Sequence, residues 1–255
     1  MIRALSFCLV VLLTLTSPGR GEEVIAELSQ TNVSITTNFT GSEILIFGAV
    51  KRVAPAPQTS DLHVIITVAG PQEPVTIRRK SRVAGIWVNT AAAEIDAAPS
   101  FYAVASTAPL SDVLLETDDL RHKISATRLI RAIDTGDAAS ELDSFTAALL
   151  RIRAQEGRFQ QLEGSVRLTD ETLFSAEVSL PANLTEGDYA TRVFLTREGQ
   201  VIDSFETVID VRKVGLERFL YNLAHDQPLV YGLMSLAIAI AAGWGAAAVF
   251  RYIRG

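Results

Sequence analysis

One cysteine, Cys8, occurs in the 255-residue chain, and it lies in the apolar N-terminal segment. No disulfide framework is available, so a body folding outside the cytoplasm has to hold together on its apolar core, which a chain of this length can build. Cys8 also lacks the small-residue context of a lipoprotein cleavage site, which argues against lipidation. Histidine is almost as scarce: His63, His122 and His225 stand far apart, and no two have metal-ligand spacing. There is no G-x-S-x-G elbow, no H-E-x-x-H and no glycine-rich phosphate loop opening a helix. Carboxylates are numerous, but an adjacent pair such as Asp118 and Asp119 is far more often a solvated helix face than an acid/base pair. The expectation is a protein that is not an enzyme, with no catalytic residue, no cofactor and no metal. A net charge of −6 argues against a nucleic-acid partner.

Charge is absent where it matters most: none occurs between Asp226 and Arg251. At about 1.5 Å of rise per residue, residues 228–250 span roughly 34 Å as a helix, against a hydrocarbon core of about 30 Å. The expectation is a single transmembrane helix at 228–250. At the other end, Arg3, an uncharged run over 4–16 and the small residues Ser17, Gly19 and Gly21 have the layout of a secretory signal, assigned to 1–21. Arg251 and Arg254 follow the span, so the positive-inside rule places the tail, 251–255, in the cytoplasm and the bulk of the chain outside. Export without cysteine suits a bacterial periplasm. The expected location is the bacterial inner membrane, single-pass, with the N-terminal domain periplasmic.

The exported part reads as mainly β with a helical middle. Short β-branched and aromatic runs at 24–28, 32–37, 43–50, 62–68, 75–77, 85–88 and 101–105 are separated by turn residues, which points to an immunoglobulin-like β-sandwich over 22–108. Asn38-Phe39-Thr40-Gly41, Pro55-Ala56-Pro57, Gly70-Pro71 and Ala98-Pro99 are read as punctuation. Helical spacing over 109–160 predicts two helices broken near Gly136. A second small β unit, 161–213, has strands at 165–168, 173–180, 189–196 and 201–211, with a hairpin at Arg197-Glu198-Gly199-Gln200. The sequence leaves open whether the two β stretches form one body or two. In 214–227, Leu216, Phe219, Leu220 and Leu223 recur as one apolar stripe, so a juxtamembrane amphipathic helix is expected, with Pro228 opening the span.

Two clusters stand out as candidate contact sites. Arg78, Arg79, Lys80 and Arg82, followed by Trp87 and Asn89, mark an anion or partner contact. Strand alternation puts Arg78, Lys80 and Arg82 on one face and Arg79 opposite. The plain alternative is an edge strand guarded by charge. In the span, Ser235, Ala239, Gly243 and Ala247 recur every four residues, with Ala237, Ala241 and Gly245 as a second row. Small residues let helix backbones approach in a membrane, where hydrophobicity cannot drive association.

The blocks FTGSEILIFGA from Phe39, GPQEPVTIRRKSRVAGIWVN from Gly70, PSFYAVAS from Pro99, LPANLTEGDYATRVFLTREGQ from Leu180 and LAHDQPLVYG from Leu223 resemble an alphaproteobacterial transmembrane-protein family of unknown function. The resemblance covers both β stretches and the anchor. It implies a signal peptide, a periplasmic domain and a C-terminal anchor, and it implies no activity. It also implies a neighbour, a sulfite-exporter-type (TauE/SafE-like) permease. Two functions follow as expectations: a membrane-anchored accessory protein beside an integral membrane partner or a second copy, or a periplasmic anion-binding or sensing module.

Overall fold

In the computed structural model, residues 21–52, 60–132 and 139–254 are described. The signal segment, the turn at 55–57 and the helix break at Gly136 lie outside them. The described chain divides into two compact units. One comprises Thr40–Val211 with the preceding chain up to Val33; the other is Ser34–Phe39 with Arg212–Gly255.

The first unit is built on two sheets whose strands come from both β stretches. β1 (Glu22–Leu28), β3 (Ser42–Arg52), β11 (Leu173–Leu180) and β10 (Arg167–Thr169) form a four-stranded sheet in that order. β2 (Asn32–Ile35), β13 (Gln200–Lys213), β12 (Gly187–Arg197), β4 (Leu62–Ala69), β7 (Tyr102–Ser106) and β9 (Phe159–Glu163) form a six-stranded one. Strands of the 22–108 and 161–213 stretches therefore hydrogen-bond within the same sheets: β3 pairs with β11, and β4 with β12, both antiparallel.

Alternation decides the faces of the smaller sheet. Val24 and Ala26, Ile44 and Ile46, and Phe174, Ala176 and Val178 are buried, while the residues between them point out. β4 has no such alternation, because it is buried on both sides. Val64, Ile66 and Val68 lie in the core on one face of the six-stranded sheet. On the other, Ile65 joins Tyr102, Val104, Phe159 and Phe194 beneath three short helices, α1 (Leu110–Val113), α2 (Glu116–His122) and α3 (Ala126–Leu129). A strand covered on both faces reads as a continuous apolar run, as Leu62–Ala69 does.

Polar groups pin these helices. Asp119 accepts hydrogen bonds from the Ile124 and Ser125 amides at 3.0 and 2.7 Å. Arg192 donates to the carbonyls of His122 and Lys123 at 2.7 and 3.1 Å. The expected hairpin at 197–200 is present, with Arg197 opposite Gln200. Glu198 and Gly199 have φ of 53° and 77°, the left-handed pair that a two-residue hairpin turn demands.

Other expectations shift. The runs at 75–77 and 85–88 are parts of one long hairpin, β5 (Gln72–Val83) and β6 (Ile86–Pro99). Its alanine-rich stretch hid the strand, since alanine carries little β propensity. Ala98 and Pro99 end β6 rather than making a turn. With β8 (Arg131–Ala132) this hairpin forms a third sheet, and Ile77, Ile95 and Ala98 pack with Phe145 and Leu149 of α4 (Ala139–Gln155). Among the described residues the helical middle has three short helices and one long one, and it ends in β9, which pairs with β7 in parallel.

The second unit carries α5 (Leu216–Asp226) and α6 (Pro228–Arg254), with the break at Gln227. Pro228 opens α6, as its fixed φ and missing N–H suit a first turn. Within the twenty-four residues Pro228–Arg251 of α6, an 18-residue window has a mean hydropathy of 2.0, and the helix is long and apolar enough to cross a membrane. Leu229, Leu233, Leu236, Ile238, Ile240, Trp244, Val249 and Phe250 all face outward. Water does not favour such a surface, and lipid does.

The N-terminal strand is clasped by charge. Glu22 accepts from Arg52 Nε at 2.8 Å and from Arg197 at 2.9 and 3.1 Å, and its side chain is only 10% exposed. Burial pushes its carboxyl up, but the hydrogen bonds and charges of Arg52 and Arg197 outweigh that and hold it below the usual 4.5. A lowered carboxylate pKa stabilises the fold above the unfolded value, and the gain is lost as pH falls through the folded value. Glu22→Gln should therefore cost roughly 1–3 kcal/mol at pH 7. Thermal melts followed by circular dichroism should show the difference from the native chain shrinking towards pH 3; a constant gap would refute the clasp.

Candidate functional site

The β5–β6 hairpin gathers the cationic candidates. Arg78 stands opposite Ala92, Lys80 opposite Asn89 and Arg82 opposite Trp87. The register slips between Arg79 and Lys80, where Arg79 faces Ala91 and Lys80 faces Asn89, so Thr90 is the extra residue of a bulge on β6. Alternation along β5 survives, and the bulge keeps Asn89 and Trp87 on the same face as Lys80 and Arg82. The structure thus brings Arg78, Lys80, Arg82, Asn89 and Trp87 together on one exposed face.

Arg79 belongs to the other side. It continues the row Val75, Ile77, and its guanidinium lies 4.9 Å from the centroid of the Phe145 ring. This contact makes Arg79 a packing residue, with its charge over the negative face of an aromatic ring. Among the described residues no ion pair engages Arg78, Lys80 or Arg82; Arg82 Nε donates only to the Gly85 carbonyl, at 3.4 Å. β5 is the edge of its sheet, so the cations also occupy the position where charge discourages unwanted strand pairing.

Sequence reading missed the hairpin tip. Ala84 and Gly85 have φ of 51° and 86°, a tight two-residue turn, and Val83, Ile86 and Trp87 beside it are half or more exposed. The signal was present in the sequence as apolar residues flanking Ala84-Gly85, but the two strands had been read as unrelated short runs.

The histidines serve separate structural contacts. His63 Nδ1 meets Thr107 Oγ1 at 3.0 Å, His122 packs edge-on against Phe194, and His225 stacks on Tyr221 with centroids 4.0 Å apart. Among the described residues no group of three His, Cys, Asp or Glu side chains could hold a metal ion.

On α6, Ser235, Ala239, Gly243 and Ala247 follow one another along one side of the helix, one turn apart. Ser235 Oγ donates back to the Tyr231 carbonyl at 2.8 Å, which satisfies the hydroxyl within the helix. A Cβ added at Gly243 would meet nothing within 4 Å, so this row faces open space.

Against known families, residues 23–252 match the one described as "Putative transmembrane protein (Alph_Pro_TM)". The chain belongs to this family. The match runs through the sheets, the hairpin and α6 together, so the anchor is part of what defines the family member. No curated protein matches. A solved structure, the sporulation control protein Spo0M from Bacillus subtilis, is similar at 11% identity and a TM-score of 0.29, over 80% of this chain and 54% of that one. The chain therefore spans about half the length of that protein.

The hairpin geometry separates its cations by role. Arg79→Ala should destabilise by about 0.5–1 kcal/mol through loss of the ring contact. Arg78→Ala, Lys80→Ala and Arg82→Ala should stay within about 0.5 kcal/mol of the native chain, as surface changes do. Thermal melts of the four variants check this ordering, and equal losses would contradict it.

Proposed function

We propose that this family member is a membrane-anchored periplasmic accessory protein, whose span meets an integral membrane partner. The observation that carries the reading is α6: a helix without charge over residues 228–250, long enough to cross a bilayer and apolar on every side, following a β-rich body in which no metal-ligating group assembles among the described residues. Arg251 and Arg254 behind the span support a cytoplasmic tail and a periplasmic body. The row Ser235, Ala239, Gly243 and Ala247 offers a partner helix close backbone approach. A sulfite-exporter-type permease is the partner that the family resemblance suggests.

A second reading has its own support. Arg78, Lys80 and Arg82 share an exposed face without an ion pair among the described residues, an arrangement suited to a small oxyanion. Binding of this kind would stabilise the fold by mass action, by about 2.7 kcal/mol at a hundred times Kd.

Native co-purification from mild detergent distinguishes the two. The accessory reading expects a permease-type protein enriched with the native chain, with enrichment lost in Gly243→Leu or Ala239→Leu and kept in Ile238→Leu or Ile240→Leu. A chain that purifies alone contradicts it. A rise in Tm with sulfite, sulfate or phosphate, abolished in Arg78→Ala/Arg82→Ala, would favour the anion-binding reading.

A further inference from the structure

The outer face of the four-stranded sheet carries an apolar patch that no other part of its unit covers. Cross-strand register sets Ile25 opposite Ala49, Phe47 opposite Glu27 and Ser175, Leu45 opposite Glu177, and Leu173 opposite Ala49. Ile25, Leu45, Phe47 and Leu173 are 50, 38, 42 and 59% exposed, on neighbouring strands. Single exposed apolar residues are ordinary, but a contiguous set with a polar rim marks an interaction surface.

The rim is acidic. Glu23, Glu27, Glu43 and Glu177 point to the same side as the patch, with Lys51 and Arg167 as the cations of that face. Lys51 is taken by Glu23 at 3.1 Å. Among the described residues no ion pair engages Glu27, Glu43 or Glu177. Three uncompensated carboxylates thus border an apolar surface.

The β5–β6 hairpin is its counterpart. One of its faces presents Trp87, 69% exposed, near the tip, and behind it Arg78, Lys80 and Arg82. The two faces complement each other: an exposed tryptophan among three cations on one, and an apolar patch bordered by three uncompensated acids on the other. Matched potentials of this kind steer association and fix its register. An anionic lipid surface would also receive the hairpin, but it would leave the acid-rimmed patch uncovered and repelled.

We propose that the hairpin of one copy seats on the outer face of the four-stranded sheet of a second copy. Trp87 lies among Ile25, Leu45, Phe47 and Leu173, while Arg78, Lys80 and Arg82 meet Glu27, Glu43 and Glu177. The contact is too small to hold free molecules together firmly, since stable interfaces bury about 1,200–2,000 Å². Copies anchored in one bilayer meet at a raised effective concentration, which a weak contact can exploit. This self-association is separate from the permease contact of α6, and either can fail without the other.

The test uses the full chain with Cys8→Ser, co-expressed as two differently tagged populations and mildly oxidised in native membranes. Asn89→Cys, on the docking face of the hairpin, in one population and Phe47→Cys in the other should give a disulfide-linked mixed dimer, while either variant alone should not. Arg78→Glu/Arg82→Glu in the Asn89→Cys copy should lower the yield about fivefold or more by like-charge repulsion. Glu27→Lys/Glu177→Lys in the Phe47→Cys copy should restore it. Three results would overturn the proposal: a mixed yield no higher than with single variants, no rescue by the charge swap, or a nitroxide at position 89 that reports bilayer depth.

Discussion

A bilayer interior supplies no hydrogen-bond partner for a peptide group, and that constraint governs this chain. The run from Pro228 to Arg251 can satisfy its own backbone only as a helix, and as one it shows apolar side chains in every direction. The described residues before it contain no cysteine and hold together on an apolar core. Buried side chains such as Ile44, Ile46, Val64, Ile66, Phe174 and Val193 do that work, on strands far apart in sequence.

Strand existence was legible because alternation and β-branched residues are local signals. Leu173–Leu180 is a strand with the bounds its sequence suggests, and Leu62–Ala69 differs by a single residue. Partnership was not legible. β3 lies between β1 and β11, and β4 between β12 and β7, and nothing within a window of ten residues encodes a neighbour more than a hundred positions away. The strands between 22 and 108 consequently do not close on themselves, as a self-contained module would. β9 was missed for a related reason: Phe159-Gln160-Gln161-Leu162-Glu163 lacks strand character, and its place comes from parallel pairing with β7.

The cationic site was readable in part. Alternation alone put Arg78, Lys80 and Arg82 together and Arg79 apart, and the structure has that arrangement because the bulge at Thr90 falls on the opposite strand. What the sequence could not show is why Arg79 turns inward, since Phe145 arrives from a helix 66 positions later. Nor could it show that Val83 and Ile86 flank one tight turn, with Trp87 beside them on the cation face. The same limit hid the patch of Ile25, Leu45, Phe47 and Leu173, which exists only once β11 lies beside β3.

These observations support one proposed account: a β-rich body carried on one side of a membrane by its C-terminal helix, with candidate contact surfaces on the hairpin, the outer sheet face and the span. Its central claim is orientation, and reporter fusions measure it most directly. Alkaline phosphatase, active only when exported, should be active when joined after Lys213 and inactive when joined after Gly255. Activity only in the second fusion would place the body in the cytoplasm and contradict the account.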